Sequence, residues 1–386
     1  MRVLHTSDWH IGRTFHGAPT HEFLWEVLNS LAGKVRENDI DVVLVAGDVF
    51  DSSIPKPAFL RVYQDAIRSI IDAGAKVVVS SGNHDSPQRL GLNAEWAEAA
   101  GLFVRVDPLK AWNPIALDDV DFYAIPYLEP ALVRDSFPDD DVSSHEKALR
   151  AVLQRIRDEK QRRLRPAVVM AHAFVAAISE DLTEDTEGLE RDITRGGLDI
   201  VPLTVFDDID YVALGHIHSR KTLSEQVRYS GAPLYYSFKE SSPHRGGWLF
   251  DIDSSGLHSV EWLDFPIPRP ISSVEGTLSD LLTESRFESV RDHWVRALLT
   301  DTVAPIDPLP KLQERFPFCV TLERRPIGQV EGDHASYRQR VEGKGPIDIV
   351  NEFLLHVRPD GKGLSDYERE IAVDGFDTLR EHEVAR

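Results

Sequence analysis

Apolar residues recur along this chain in two rhythms, short β-branched runs and helical stripes, and their alternation up to about Leu263 predicts a layered α/β domain. The first unit is the clearest. A strand from Arg2 to Thr6 leads through a loop to a helix from about Pro19, in which Phe23, Leu24, Val27, Leu28, Leu31 and Val35 share one face. Val42 to Ala46 is the next strand. A second helix starts near Pro55 and Pro57, turns Phe59, Leu60, Tyr63, Ile67, Ile70 and Ile71 inward, and stops at Gly74. Lys76 to Ser80 is a third strand. Further on, His145 to Arg163 reads as a charged surface helix, and Ala167 to Ala171, Tyr211 to Leu214 and Val227 to Tyr229 read as strands.

The pattern changes beyond Pro266-Ile267-Pro268-Arg269-Pro270. Ile271 to Leu322 reads as a small βαβαβ unit, with helices near Leu278 to Phe287 and Leu309 to Phe316 and strands near Trp294 to Leu299 and Phe318 to Leu322. A polar stretch, Gln329 to Gly345, sets off two short amphipathic helices, Ile347 to Val357 and Ser365 to Leu379. Short helices of this kind need a packing partner, which is either their own chain or another protein. The expected division is therefore 1–265, 271–328 and 346–386.

Composition narrows the class. With 42% hydrophobic and 28% charged residues in 386, the chain is that of a globular protein. Its apolar runs are strand-length, far short of the roughly 20 residues that span a bilayer. No membrane association is expected. The segment after Met1 lacks the apolar core of a signal peptide, so a cytoplasmic location is expected. The single cysteine, Cys319, cannot pair within the chain and sits in an apolar run, which makes it a small buried hydrophobe and excludes thiol catalysis. The formal net charge of -21 is awkward for an enzyme acting on DNA, because affinity for nucleic acid comes mostly from basic residues.

Candidate chemistry lies in where the unusual residues fall. Asp8 and His10 follow the first strand, Asp48 the second, and Asn83 and His84 the third. His172 ends the strand at Ala171, and His216 and His218 follow Leu214. Loops at one end of an α/β sheet gather on one rim, so these segments can converge. Singly, each signal is weak: a lone histidine is more often a surface or core residue, and Gly-Asp or Gly-Asn-His-Asp can be an ordinary turn. Jointly they are strong, because a purely structural role gives no reason for metal-ligating types after every strand. Imidazole and oxygen donors without thiolates suit manganese, iron or zinc, with manganese the first choice. Asp8, His10, Asp48, Asn83, His172, His216 and His218 are too many for one ion. Two ions sharing a carboxylate would use them all.

The runs Leu4-His5-Thr6-Ser7-Asp8-Trp9-His10-Ile11-Gly12, Val45-Ala46-Gly47-Asp48-Val49-Phe50-Asp51, Gly82-Asn83-His84-Asp85-Ser86 and Ala213-Leu214-Gly215-His216-Ile217-His218 resemble, in order, the motifs of calcineurin-like metallophosphoesterases. Over roughly the first 240 residues the match narrows to the bacterial SbcD family of DNA exonucleases, on Asp-Trp-His-Ile-Gly and Val-Ala-Gly-Asp-Val-Phe-Asp. That resemblance implies a metallophosphoesterase β-sandwich flanked by helices, followed by a small α+β capping domain and a C-terminal helical segment. It implies that Asp8, His10 and His218 hold one ion, that Asn83, His172 and His216 hold the other, and that Asp48 bridges them. His84 would be the catalytic histidine, assisting the leaving oxygen without binding metal, and Asp85 would orient it. Some members carry a histidine where this chain has Asp51. The implied partners are DNA and an SbcC-type ATPase bound by the terminal helices, with a homodimer inside a heterotetramer and a nucleoid-associated location.

Two other functions compete with a DNA nuclease of repair, recombination and replication. One is a phosphoesterase of nucleotides or phosphoproteins using the same metal pair. The other is an assembly subunit that has lost activity, against which stands the filling of every expected ligand position.

Overall fold

The computed structural model describes residues 1–176, 200–240, 243–326, 343–358 and 361–384. Its chain divides into two compact units, Met1–Ser272 and Ser273–Arg386. The first contains two six-stranded sheets. One runs in the order Gly256–Asp264, Gly246–Asp253, Arg2–Thr6, Val42–Ala46, Lys76–Ser80, Leu102–Arg105. The last four of these strands are parallel, and the hairpin that precedes them in the order is antiparallel. The other sheet runs Lys221–Thr222, Val227–Tyr229, Tyr211–Gly215, Ala167–His172, Val120–Ala124, Ile115–Leu117, with its inner four strands parallel.

The sheets stack because period two operates with both faces covered. Val42, Leu44 and Ala46 join Val3 and Val78 in a core shared with Val168, Met170 and Ala213 of the second sheet. Val43 and Val45 turn the opposite way, onto Leu24, Val27, Leu28, Leu31 and Ile67 of the helices His21–Glu37 and Pro57–Asp72. The second sheet repeats the arrangement, with Val169 and Ala171 against Leu149, Val152 and Ile156 of the helix His145–Arg163. Each such Val, Leu or Ile, once fully buried, contributes about 1.5–3 kcal/mol. Strands covered on both sides carry no polar alternation, which is why they stood out in the sequence as unbroken apolar runs.

Two expectations are corrected. Leu60 was placed on the inward face of its helix but is 40% exposed, because the buried stripe is Ala66, Ile67 and Ile70 with Phe59 and Tyr63 at its edge. His145–Arg163 is not simply a surface helix: its face bearing Ala148, Leu149, Val152, Leu153 and Ile156 is buried. The strands Leu102–Arg105, Ile115–Leu117 and Val120–Ala124 and the Gly246–Asp264 hairpin were not anticipated at all.

Apart from the first two residues of its first strand, the second unit contains a three-stranded sheet in the order Ile271–Gly276, Trp294–Leu299, Cys319–Arg324. Leu281 of the helix Leu278–Thr283 and Leu312 of the helix Pro308–Arg315 pack with Val274, Val295 and Leu299. Cys319 is fully buried there, and burial pushes its thiol up to about 11. The helices Pro346–Val357 and Asp366–Val384 close the unit. Most of the polar stretch Gln329 to Gly345 lies outside the described residues. Among those described, no helix is long and apolar enough to cross a membrane.

Candidate metal centre

All seven proposed ligands lie on loops or strand ends at one rim of the first unit. The backbone there is bent sharply: Asp8 (φ 52°), His10 (45°), Asp48 (49°) and His216 (100°) are all left-handed without being glycine. Such residues cost about 1 kcal/mol or more each and persist where surrounding structure holds them. Two glycines let the segments close. A Cβ at Gly47 would collide with the His172 ring, and one at Gly82 with the Asp48 carboxylate.

One cluster comprises Asp8, His10 and His218, whose ligand atoms lie within 4.8 Å of one another. The two imidazoles meet Nε2 to Nε2 at 3.0 Å. Behind them, His10 Nδ1 faces Asp51 Oδ1 at 3.4 Å and His218 Nδ1 faces Glu240 Oε1 at 3.4 Å. A carboxylate near each Nδ1 favours the tautomer with the proton there, in which the Nε2 lone pairs point at each other. A hydrogen bond between the rings would instead turn one bare Nδ1 toward a carboxylate. Asp8 completes the group, with Oδ1 accepting from His216 N at 2.9 Å and Oδ2 accepting from Ser7 Oγ.

The other cluster comprises Asn83, His172 and His216. His172 Nδ1 donates to Ala46 O at 3.1 Å, so its Nε2 also offers a lone pair. That lone pair lies 3.0 Å from Asn83 Oδ1 and 3.3 Å from His216 Nδ1, and Asn83 Oδ1 lies 3.1 Å from His216 Nδ1. Asp48 stands between the clusters, with Oδ2 3.5 Å from His10 Nε2 and 3.2 Å from His172 Nε2. Ring nitrogens and oxygens this close need protons or cations among them, and oxygen and imidazole donors suit divalent ions. The donor set therefore fits a pair of divalent ions.

Protonation follows the same logic. Burial opposes charge on both groups, yet attraction between them holds the Asp48 carboxylate well below its usual range and lifts His172 to about 9. A proton at His172 thus stands where a cation would, and the two compete. Burial lowers the His10 pKa against the pull of Asp51 and Asp48, favouring the neutral ring that a ligand requires.

The two residues expected to act beside the ligands are placed differently from each other. The ring of His84 stands edge-on to His10 at 4.8 Å between centroids, and its Nδ1 lies 3.0 Å from the Asp51 carbonyl. It falls within the same 4.8 Å grouping as His10 and Asp48. Asp85 was expected to orient that ring. Its oxygens instead accept from the backbone N–H groups of Val49, Phe50 and Gly82 at 2.9–3.1 Å, so it acts on His84 through the turn. Burial, and then the charge of Asp48, push Asp85 up to about 7.

Sequence reasoning missed Glu240, Arg245 and the orienting role of Asp51. It also missed Tyr127, whose ring stacks on His216 at 6.4 Å, and a neighbouring cleft of about 820 Å³ lined by Ser81, Asn83, Tyr127 and Glu129. Glu240 and Arg245 follow the Val227–Tyr229 strand in an irregular segment, where no periodicity marks a buried charge.

Residues 1–220 match the calcineurin-like phosphoesterase family. Among solved structures, the chain is similar to a dimetal phosphatase from Danio rerio at 11% identity, over 69% of this chain and 99% of that one, with a TM-score of 0.41. The protein TT1561 of Thermus thermophilus matches at 13% identity over 68% and 98%, with a TM-score of 0.39. GAP50, the anchor in the inner membrane complex of Plasmodium, matches at 14% over 68% and 84%, with a TM-score of 0.41.

Proposed function

The chain belongs to the calcineurin-like phosphoesterase family, and from that premise we propose that it is a two-manganese phosphodiesterase that cuts DNA as the nuclease subunit of a complex with an SbcC-type ATPase. The family makes it a metal-dependent hydrolase of phosphoesters. The observation that carries the two-ion reading is the position of Asp48, within 3.5 Å of lone pairs in both acceptor clusters.

In this reading Asp8, His10 and His218 hold one ion, Asn83, His172 and His216 the other, and Asp48 both. Bound there, divalent cations supply Lewis acidity to the phosphoryl oxygens and to the attacking water. The chain's own residues do the rest. His84 donates its Nδ1–H to the Asp51 carbonyl, so it gives a proton or hydrogen bond to the departing oxygen from Nε2 only as the doubly protonated imidazolium. Asp85 pins the Gly82 and Phe50 backbones and so holds the turn that carries Asn83 and His84.

DNA as substrate, and the ATPase as partner, rest on the likeness of the four motifs to the SbcD family. A net charge of -21 is unfavourable for a long polyanion, so a partner or a second copy of the chain supplies DNA affinity. Exposed Phe353, Val357, Tyr367 and Ile371 on the terminal helices support docking of the ATPase there. The same negative charge favours a second reading, a phosphoesterase of nucleotides or phosphoproteins. Digestion of linear duplex DNA in manganese, with and without the ATPase, separates the two. Cleavage stimulated by the ATPase is expected, whereas hydrolysis of small phosphodiesters with none of DNA would overturn the nuclease assignment.

A further inference from the structure

His218 is gripped twice by one pair of buried side chains. Its Nδ1 lies 3.4 Å from Glu240 Oε1, and its own carbonyl accepts from Arg245 Nη1 at 2.7 Å. Arg245 Nη2 donates to Glu240 Oε2 at 2.7 Å, which closes a ring of contacts around His218. The pair is itself braced: Tyr236 N donates to Glu240 Oε2 at 3.2 Å, Arg245 also reaches the Ala232 carbonyl, and its guanidinium lies over the Tyr235 ring at 4.1 Å. His218, Glu240 and Arg245 are 4%, 1% and 3% exposed.

A role in closing the loop does not account for this choice of residues. Two charges withdrawn from water are rarely more stabilising than apolar side chains of the same volume. An apolar pair, however, could not dictate which nitrogen of His218 carries the proton. Glu240 does so by standing behind Nδ1, and this directs the Nε2 lone pair toward Asp8 and His10. Because Arg245 balances Glu240, the pair orients the ring without adding net negative charge.

Across Asp48 the support is looser. The group behind His172 is a neutral carbonyl, Asn83 is exposed and His216 is half-buried. Asp8 has no carboxylate counterpart among Asn83, His172 and His216, and one of its own oxygens also comes within 4.8 Å of a His172 ring nitrogen.

We propose that Glu240, clamped by Arg245, is the positioning residue for His218, and that this clamp makes the Asp8, His10 and His218 side take up a divalent cation before the other side and more tightly. The inference rests on the two-ion reading of the site.

Calorimetric titration of the chelator-stripped full chain with manganese(II) should resolve a tight and a weak phase. Glu240→Gln preserves size but removes the charge that fixes the Nδ1 proton; it should weaken the tight phase by roughly 10- to 100-fold and leave the weak phase within about twofold. His216→Asn should do the reverse. Because a broken buried ion pair can unfold its surroundings, a thermal melt without metal accompanies each variant. A double variant, Glu240→Met with Arg245→Met, replaces the pair by apolar volume and should fold while still losing the tight phase. A single phase in the parent chain, or an unaltered tight phase in either folded Glu240 variant, would overturn the proposal. No manganese uptake at all by the parent chain would instead sink the two-ion reading.

Discussion

The two sides of the Asp48 carboxylate are built to different standards. On one side, Asp8, His10 and His218 are almost wholly buried, and a carboxylate stands behind each imidazole. On the other, Asn83 and His216 meet solvent beside an open cleft of about 820 Å³. Burial with orienting carboxylates favours retention of an ion, and exposure favours exchange and access for substrate. A hydrolase needs both: Asp8 and His10 after the first strand serve the anchored side and Asn83 the accessible one, while the loop after Tyr211–Gly215 sends His218 to the first and His216 to the second.

The severest way to break this comparison is Asp48→Asn, because both sides depend on that carboxylate. Turnover should fall on the order of 10³-fold or more, with loss of both calorimetric phases. If one phase survives intact, Asp48 serves a single ion. His84→Ala comes next. Removing a proton donor should lower kcat by about 10²- to 10⁴-fold while two manganese ions still bind. Loss of an ion along with activity would make His84 a ligand, a possibility raised by its grouping with His10 and Asp48.

Acidity sharpens the comparison further. The raised pKa of His172, about 9, means that its ring is protonated at neutral pH until a cation displaces the proton. Affinity on that side should therefore rise with pH up to about 9 and fall by up to about tenfold per unit below it. On the other side burial lowers His10, while Glu240 and Asp8 raise His218 against its burial, so there it is His218 whose proton a cation must displace. A phase on the His172 side that does not weaken below pH 9 would contradict the assignment. The smallest expected effect is that of Tyr127→Ala, which removes the ring stacked on His216. About 0.5–1.5 kcal/mol, or a few-fold in the weak phase alone, is the scale of such an aromatic contact.

What was legible in the sequence was local. Val42–Ala46 and Lys76–Ser80 announced themselves as unbroken apolar runs, and the ligands Asp48 and Asn83 follow within a few residues of their ends. What was hidden depends on distant partners. Val120–Ala124 includes Asp121, which reads as a break in a strand; it is buried because Arg163, the last residue of a helix, and Arg165, just beyond it, pair with it. The Gly256–Asp264 strand fully buries only Gly256, its other residues being half-buried or exposed, so its hydrophobic signal is faint. Glu240 and Arg245 look like ordinary surface charges until folding closes them over His218. Pattern shows which residues could ligate, but the groups that aim them come from contacts more than twenty residues away or from irregular chain.

The left-handed backbone at Asp8, His10, Asp48 and His216 links chemistry to heat. Loops held at some conformational cost are released when the charges that draw them together lose their counterions. Ions bound only by the folded rim raise its stability by about 2.7 kcal/mol at a hundredfold excess over their dissociation constant. Chelation and warming therefore push this rim in the same direction, and a melting curve taken across manganese concentrations becomes a binding isotherm.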